Sequence, residues 1–341
     1  MPIRAGRWTG KPQLVSPPVL AGPRYCHLFP TRLRIGMLHT PLKVCALTIG
    51  LLACSSTWSQ VQCPPEGWSR AALVQLKAAN WTIDAQERRE ALALELLPCL
   101  AAPDPELRDT IAFEALSAWL RKKNLSVALQ RQIFKVLLRQ LQSQDADADG
   151  FAKPFAALTL AEVARADRIA VFLGDDERNS LVDAATVYLR SVDDYRGFVQ
   201  GQGWRHGVAH GADLLMQLAL NPLITKVQLE RLVSAAQSQV APASGHFYIY
   251  GESERLARPI LMAARRQLIE ADWWRTLLDQ ISAPSPLTTW DQAFNSEAGL
   301  ARLHNTKSFL LVLYASLRES TDASLQSHLL GPVSHALKQL P

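Results

Sequence analysis

Two histidines and an aspartate fall at a spacing that could do chemistry. They lie in Gly203-Trp204-Arg205-His206-Gly207-Val208-Ala209-His210-Gly211-Ala212-Asp213. On a helix, His206, His210 and Asp213 occupy positions i, i+4 and i+7, a single stripe. Two imidazoles and a carboxylate so arranged could hold a divalent ion such as Zn²⁺. Asp194 or Glu252 would then supply a further ligand or a hydrogen-bond partner behind one. The H-E-x-x-H arrangement of zinc proteases is not met, because Gly207 stands where the general base belongs. Two other readings stay open: acid–base work by one histidine oriented by a carboxylate, and a structural polar network. The last is favoured, since buried polar side chains are more often paired than reactive. Gly203, Gly207 and Gly211 would let another backbone pack close to the same segment.

Further polar residues flank this stripe. Asp193-Asp194-Tyr195-Arg196-Gly197-Phe198 precedes it, and Tyr248-Ile249-Tyr250-Gly251-Glu252-Ser253-Glu254-Arg255 follows. Glu252 and Glu254 suit the positive start of a helix, and Arg255 could pair with a carboxylate. Together with His304 and Asn305, these residues define a candidate polar groove: Asp194, Arg196, His206, His210, Asp213, Glu252, Glu254 and Arg255. Trp119, Trp204, Trp273 and Trp274 read as packing residues.

The elements that must position these groups are helices. From Trp68 onward the apolar residues recur at the helical period. Asp84-Ala85-Gln86-Glu87 reads as a capping box. Asp104-Pro105-Glu106 reads as an N-cap, a first-turn proline and a first-turn acid. Ile111, Ala115 and Trp119 then continue an apolar stripe begun by Leu107. Further helices are expected near 126–142, 154–167, 176–191, 204–220, 225–240, 252–269, 271–281, 299–319 and 323–339. Only His246-Phe247-Tyr248-Ile249-Tyr250 alternates like a strand, and it reads as an extended loop. The helices group as hairpins beginning near 66/84, 105/126, 154/176, 204/225, 252/271 and 299/323, intervals that suit antiparallel repeats of the HEAT or armadillo kind. The expected fold is all-α, an irregular array of helical hairpins, with a compact helical bundle as the alternative.

Charge separates the chain into two parts. The 341 residues carry 36 Lys and Arg against 31 Asp and Glu, a net of +5. Seven of the cations (Arg4, Arg7, Lys11, Arg24, Arg32, Arg34 and Lys43) precede residue 60, and no acid does. The remainder is therefore slightly acidic, which argues against nucleic acid as a partner. Residues 1–36, rich in Pro and Arg, read as an upstream extension outside the fold. A transit-type presequence is the rival, disfavoured by the prolines. Residues 37–59 read as a secretory signal, with a cation at Lys43 and an apolar stretch from Val44 to Ala53 too short to span a membrane. Cleavage after Ser59 would release a soluble periplasmic protein. Leu51-Leu52-Ala53-Cys54 instead resembles a lipobox, which would leave an envelope lipoprotein anchored at Cys54. Residues 60–341 form the expected single domain. In an oxidising compartment its two cysteines, Cys63 and Cys99, are expected to form a disulfide.

Several of these segments carry a resemblance. Asp104-Pro105-Glu106-Leu107-Arg108-Asp109, Tyr195-Arg196-Gly197-Phe198, the His206–Asp213 segment and Glu252-Ser253-Glu254-Arg255-Leu256-Ala257 together resemble an uncharacterised bacterial family. It is the domain of unknown function numbered twenty-seven eighty-five. The likeness runs over about residues 66–340 and implies a bacterial, all-helical protein; the leader implies its exported branch. It brings no activity. The residues favour an interaction module that binds a protein or peptide in a polar concave groove. The alternative is a metal- or small-ligand-binding enzyme working through His206, His210 and Asp213.

Overall fold

Capping groups set most helix boundaries. The computed structural model describes residues 63–145 and 147–341. The leader, its cleavage position and Cys54 lie outside them. In α1 (Arg70–Ala78), the Ser69 hydroxyl accepts from the Ala72 amide. The Asp104 carboxylate accepts from the amides of Glu106 and Leu107 and opens a helix that starts as a π-type turn (Glu106–Phe113) and tightens into α3 (Glu114–Arg121). Ser126 caps α4 (Val127–Gln142). One carboxylate, Asp147, takes hydrogen bonds from four amides, those of Gly150, Phe151, Ala152 and Lys153, at the start of α5 (Ala152–Ile169). These acceptors satisfy amide groups that a helix start leaves without an internal partner. The expected capping box at residue 84 is not formed. There α2 (Gln86–Glu95) begins after Ala85 with no side-chain cap.

The remaining helices are α6 (Asp175–Ser191), α7 (Gly207–Ala219), α8 (Lys226–Ser238), α9 (Glu252–Arg265), α10 (Ala271–Ser282), α11 (Glu297–Arg318) and α12 (Ala323–Lys338). Short 3₁₀ turns at Pro98–Ala101 and Trp290–Asn295 join neighbours. The fold is an all-α helical array, as the periodicity predicts. The one piece of sheet among the described residues is a two-residue hairpin, β1 (Phe198–Val199) against β2 (Gly203–Trp204).

Packing follows two rows. Helices α3, α5, α7, α9 and α11 contact one another in succession, and α4 against α6 and α6 against α8 form part of a second row. The last expected pair, 299/323, forms as α11 against α12, but the hairpin partners in the middle of the chain differ from the expected grouping. The close pairs are α4 with α5, α6 with α7 and α8 with α9, one helix out of phase with 105/126, 154/176 and 204/225. The reason lies in α7. Val208, Ala209, Ala212, Leu214, Leu215, Leu218 and Ala219 are all buried, so this helix has almost no solvent side to offer and must be enclosed by α5, α6, α8 and α9. Small residues make the enclosure tight. A methyl at Gly211 would lie 3.1 Å from the Tyr188 ring. The neighbours that the glycines of α7 admit are thus mostly side chains at the end of α6, Tyr188, Leu189 and Val192, with the Asp194 carbonyl 3.6 Å from a methyl at Gly207.

The end before α3 is held differently. Cys63 and Cys99 are disulfide-bonded, with Cα atoms 5.4 Å apart. Trp119 is fully buried and its indole donates to the Trp81 carbonyl at 2.8 Å. Trp274 is likewise buried. An apolar cavity of about 460 Å³ lies among α2, α4 and α5, lined by Leu94, Leu97, Leu100, Leu137 and neighbours. It holds no titratable group and offers no acid–base chemistry.

Candidate functional site

The backbone decides what the histidine stripe becomes. Strand β2 occupies Gly203-Trp204, so α7 starts at Gly207 and not at 204. His206 is the residue before the helix, in the left-handed region at φ +56°. Its carbonyl accepts from the His210 amide at 2.9 Å. The two rings still meet edge to face, 5.8 Å between centroids. A continuous helical stripe from 206 to 213 is therefore corrected to a cap residue followed by two helical ones. The cause is the β-hairpin, whose tie to the preceding turn (Arg205 amide to Gly197 carbonyl, His206 amide to Arg196 carbonyl) pulls His206 out of the helix.

Each polar group has an identifiable environment. His206 stacks on the Trp204 indole at 4.6 Å, and its Nε2–H donates to the Tyr250 carbonyl at 3.1 Å. A carbonyl only accepts, so this bond assigns the proton to Nε2. Burial, helped by the nearby Arg255 cation, pushes the His206 pKa down to about 4. His210 is 6 % exposed and packs edge-on to Phe155. Burial, then His206 and Arg255, holds it neutral far below the usual histidine range. Its Nδ1 is buried and has no hydrogen-bond partner. Asp213 pairs with Arg255 through one oxygen, while Arg258 stands 3.7 Å from the other. Burial nonetheless raises the Asp213 pKa, outweighing both arginines. Desolvation is thus the dominant effect on all three groups.

The three do not converge as ligands. Asp213 turns to Arg255, His206 turns to the Tyr250 backbone, and among the described residues no group of three His, Cys, Asp or Glu could hold a metal ion. Glu252 does approach: its Oε1 lies 3.8 Å from His206 Nε2, while its Oε2 accepts from the Tyr250 amide at 2.9 Å. Glu254 is exposed at the start of α9. Asp194 and Arg196 pair with each other at the surface, beside a 190 Å³ cavity that Asp147, Lys153, Asp194 and Arg205 help line. His304 lies inside α11, not at its start, and touches Phe247 at 5.6 Å. Asn305 is buried and pins the 246–248 loop, donating to the His246 carbonyl and accepting from the Tyr248 amide.

What the two clusters build together is an aromatic face. Phe198 and Trp204 meet edge to face at 5.3 Å, and Trp204 meets Tyr250 at 5.7 Å. The Tyr250 ring lies flat on Gly197, where a methyl group would sit 2.0 Å from it. The Tyr250 hydroxyl donates to the Phe198 carbonyl at 3.3 Å. Phe198 is 41 % exposed, Trp204 38 % and the adjoining Ile249 70 %. From the sequence Trp204 reads as a packing residue and Phe198 does not stand out. A lone aromatic beside a glycine carries no signal until the turn that exposes it is known.

The matched family adds its weight here. A family model described as a protein of unknown function, DUF2785, matches residues 115–315, more than half of the chain. The chain belongs to this family. No curated protein and no solved structure matches it. The DUF2785 match encloses the His206–Asp213 segment, the aromatic face and the start of α9. It leaves out the Cys63–Cys99 bridge and Asp104–Asp109, so it is narrower than the span over which the sequence shows its resemblance.

A second polar site was absent from the sequence reading. Arg108 is fully buried, donates to the carbonyls of Ala102 and Gln202 at 2.8 Å, and lies over Phe151 at 3.6 Å. Arg205 covers the same ring at 4.3 Å. Two guanidinium groups on one aromatic ring lock the β-hairpin to the segment before α3. The residues are 97 positions apart, which no local pattern reveals.

Proposed function

We propose that this DUF2785 protein is an exported binding module, a helical-hairpin array of the HEAT-like kind, that takes a polypeptide segment on the face formed by Phe198, Trp204 and Tyr250. The observation that carries the reading is the exposure of Phe198 and Trp204 in a locked geometry. Aromatic residues left in solvent and fixed in place are what interface anchors look like, because they bury large area with little loss of freedom. Below them His206 and Asp213 hold the frame, spending polar groups on Tyr250 and Arg255, and His210 packs its ring on Phe155. Arginines Arg255 and Arg258 form a polar rim. The disulfide supports an oxidising compartment, and with the leader it supports a bacterial periplasmic location. Anchoring through Cys54 is the alternative.

The reading of a metal- or small-ligand-binding enzyme would draw on two buried atoms without hydrogen-bond partners, His210 Nδ1 and Asp213 Oδ1. Neither cavity described above is lined by His206, His210 or Asp213, so access to those atoms is what that reading lacks. Selection of a random displayed-peptide library on the protein tests the binding reading. Enriched peptides should carry aromatic or aliphatic anchors and should lose binding to Trp204→Ala. Enrichment that survives this substitution would remove the aromatic face from the account.

A further inference from the structure

A cavity of about 350 Å³ opens between the C-terminal ends of α8 and α10 and the first turns of α11. Its lining includes Ser234, Gln237, Ser238, Gln280, Arg302 and Thr306, and no acid. Two of these groups are anomalous. Among the described residues, Arg302 has no carboxylate within ion-pair distance. Its fork makes one long hydrogen bond, to the Ala241 carbonyl at 3.4 Å, and its Nε is buried without a partner. Thr306 is fully buried, and its hydroxyl has no partner either. A helical threonine ordinarily returns its hydroxyl to a carbonyl of the preceding turn, as Thr159 and Thr186 do here. Thr306 does not, although it sits one turn from Arg302.

A desolvated guanidinium without a counter-charge and a buried unpaired hydroxyl are both costly in a folded protein. They become useful together if an oxyanion enters. We propose that this cavity is a binding site for a small hydroxylated carboxylate, with Arg302 and Thr306 holding the carboxylate and the serine and glutamine side chains meeting the hydroxyls. The volume falls in the range of ligand sites. The charge count favours a monoanion. One cation faces the cavity, and the carbonyl ends of α8 and α10 beside it oppose anions in proportion to their charge, a dianion such as phosphate about twice as much as a carboxylate. The Ser234 and Ser238 hydroxyls donate to the Glu230 and Ala235 carbonyls and Gln237 donates to Gln280, which leaves the hydroxyl lone pairs and the remaining amide hydrogens for ligand hydroxyls. The acids in the adjoining depression are already taken: Glu270 pairs with Lys226, and Asp272 with Arg275. The site is distinct from the aromatic face and stands whether or not that face binds peptide.

The test is calorimetric titration of the full chain with sodium glucuronate and sodium gluconate at fixed ionic strength. Glucose supplies the hydroxyls without the carboxylate, and inorganic phosphate supplies a dianion. At least one sugar acid should bind saturably, while glucose and phosphate bind far more weakly. Arg302→Gln should weaken that binding roughly tenfold or more, the scale of a lost charge-assisted hydrogen bond. Thr306→Val should weaken it several-fold and raise the ligand-free melting temperature by removing an unpaired hydroxyl. Failure of both sugar acids to bind, phosphate binding as well as they do, or unchanged binding in Arg302→Gln would each overturn the proposal. If Arg302→Gln does not fold, Thr306→Val decides: weakened binding supports the site, and unchanged binding overturns it.

Discussion

The His206, His210 and Asp213 group at the start of α7 and the face formed by Phe198, Trp204 and Tyr250 lie side by side and touch at His206. They differ in what their side chains are spent on. Along the stripe, the reactive-looking groups are buried at 9 % exposure or less and mostly committed: His206 to a backbone carbonyl, Asp213 to Arg255. On the face, large aromatic surface is committed to its neighbours at one edge and to solvent at the other. On the proposed reading, the polar, ligand-type residues serve as the frame, and the exposed aromatic surface is what is offered to a partner. A desolvated polar cluster is useful as a frame because breaking it is expensive; an exposed aromatic is useful as an anchor because the fold does not depend on it.

The comparison breaks most severely at Asp213. Asp213→Ala strips Arg255 of its partner, and Arg255 keeps about a third of its side chain in solvent, so the cost falls below that of a fully buried pair. A loss of about 2–3 kcal/mol is expected in denaturant titration. An unchanged midpoint would show that the stripe is not a frame.

Acid attacks the same region. A histidine whose folded pKa lies below its unfolded value binds its proton more readily when unfolded, so stability is lost as pH falls. With His206 depressed to about 4 against an ordinary 6.5, and His210 depressed in the same direction, the loss runs from about pH 6.5 down to about 4. His206 contributes roughly 2–3 kcal/mol of it. Asp213, whose pKa burial raises, acts with the opposite sign and offsets part of that loss. Unfolding midpoints measured from pH 8 to pH 4 should fall, and the fall should be shallower in His206→Gln.

His210→Ala removes a ring packed on Phe155 and is expected to cost about 1–3 kcal/mol. Chelation by EDTA should leave the wild-type melt unmoved. A wild type that melts lower with EDTA, beside an indifferent His210→Ala, would put a metal ion at the stripe.

Much of this arrangement is legible in the chain. Helix boundaries at Asp104 and Ser126 follow from short side chains that accept amide hydrogen bonds at a helix start, which Asp84 does not do. The pairing of Cys63 with Cys99 follows from there being two cysteines after residue 59. The loop at 246–250 reads correctly as extended because glycines bound it. The start of α7 does not read correctly. Trp204 and Arg205 suit a helix as well as a strand, and the two-residue hairpin that excludes them depends on the contact of Gly203 with Arg108, which is remote in sequence. The phase of the hairpins escapes for a related reason. Periodicity gives each helix a buried side without saying which neighbour covers it. The aromatic face escapes because exposure is a property of the assembled loops, and the Arg302 cavity because a missing counter-charge is visible only once all neighbours are placed.

The smallest expected effect on stability falls on the face itself, and there the central claim is most exposed. Trp204→Ala and His210→Ala should be compared side by side for melting temperature and for binding of a peptide selected on the wild type. The account predicts that Trp204→Ala loses binding at least tenfold while its stability changes by less than about 1 kcal/mol, as for a surface residue. His210→Ala should melt lower yet bind within a few-fold of wild type at a temperature where it is folded. The reverse pattern, with Trp204→Ala melting low and binding normally while His210→Ala melts normally and binds nothing, would contradict the assignment of frame and face.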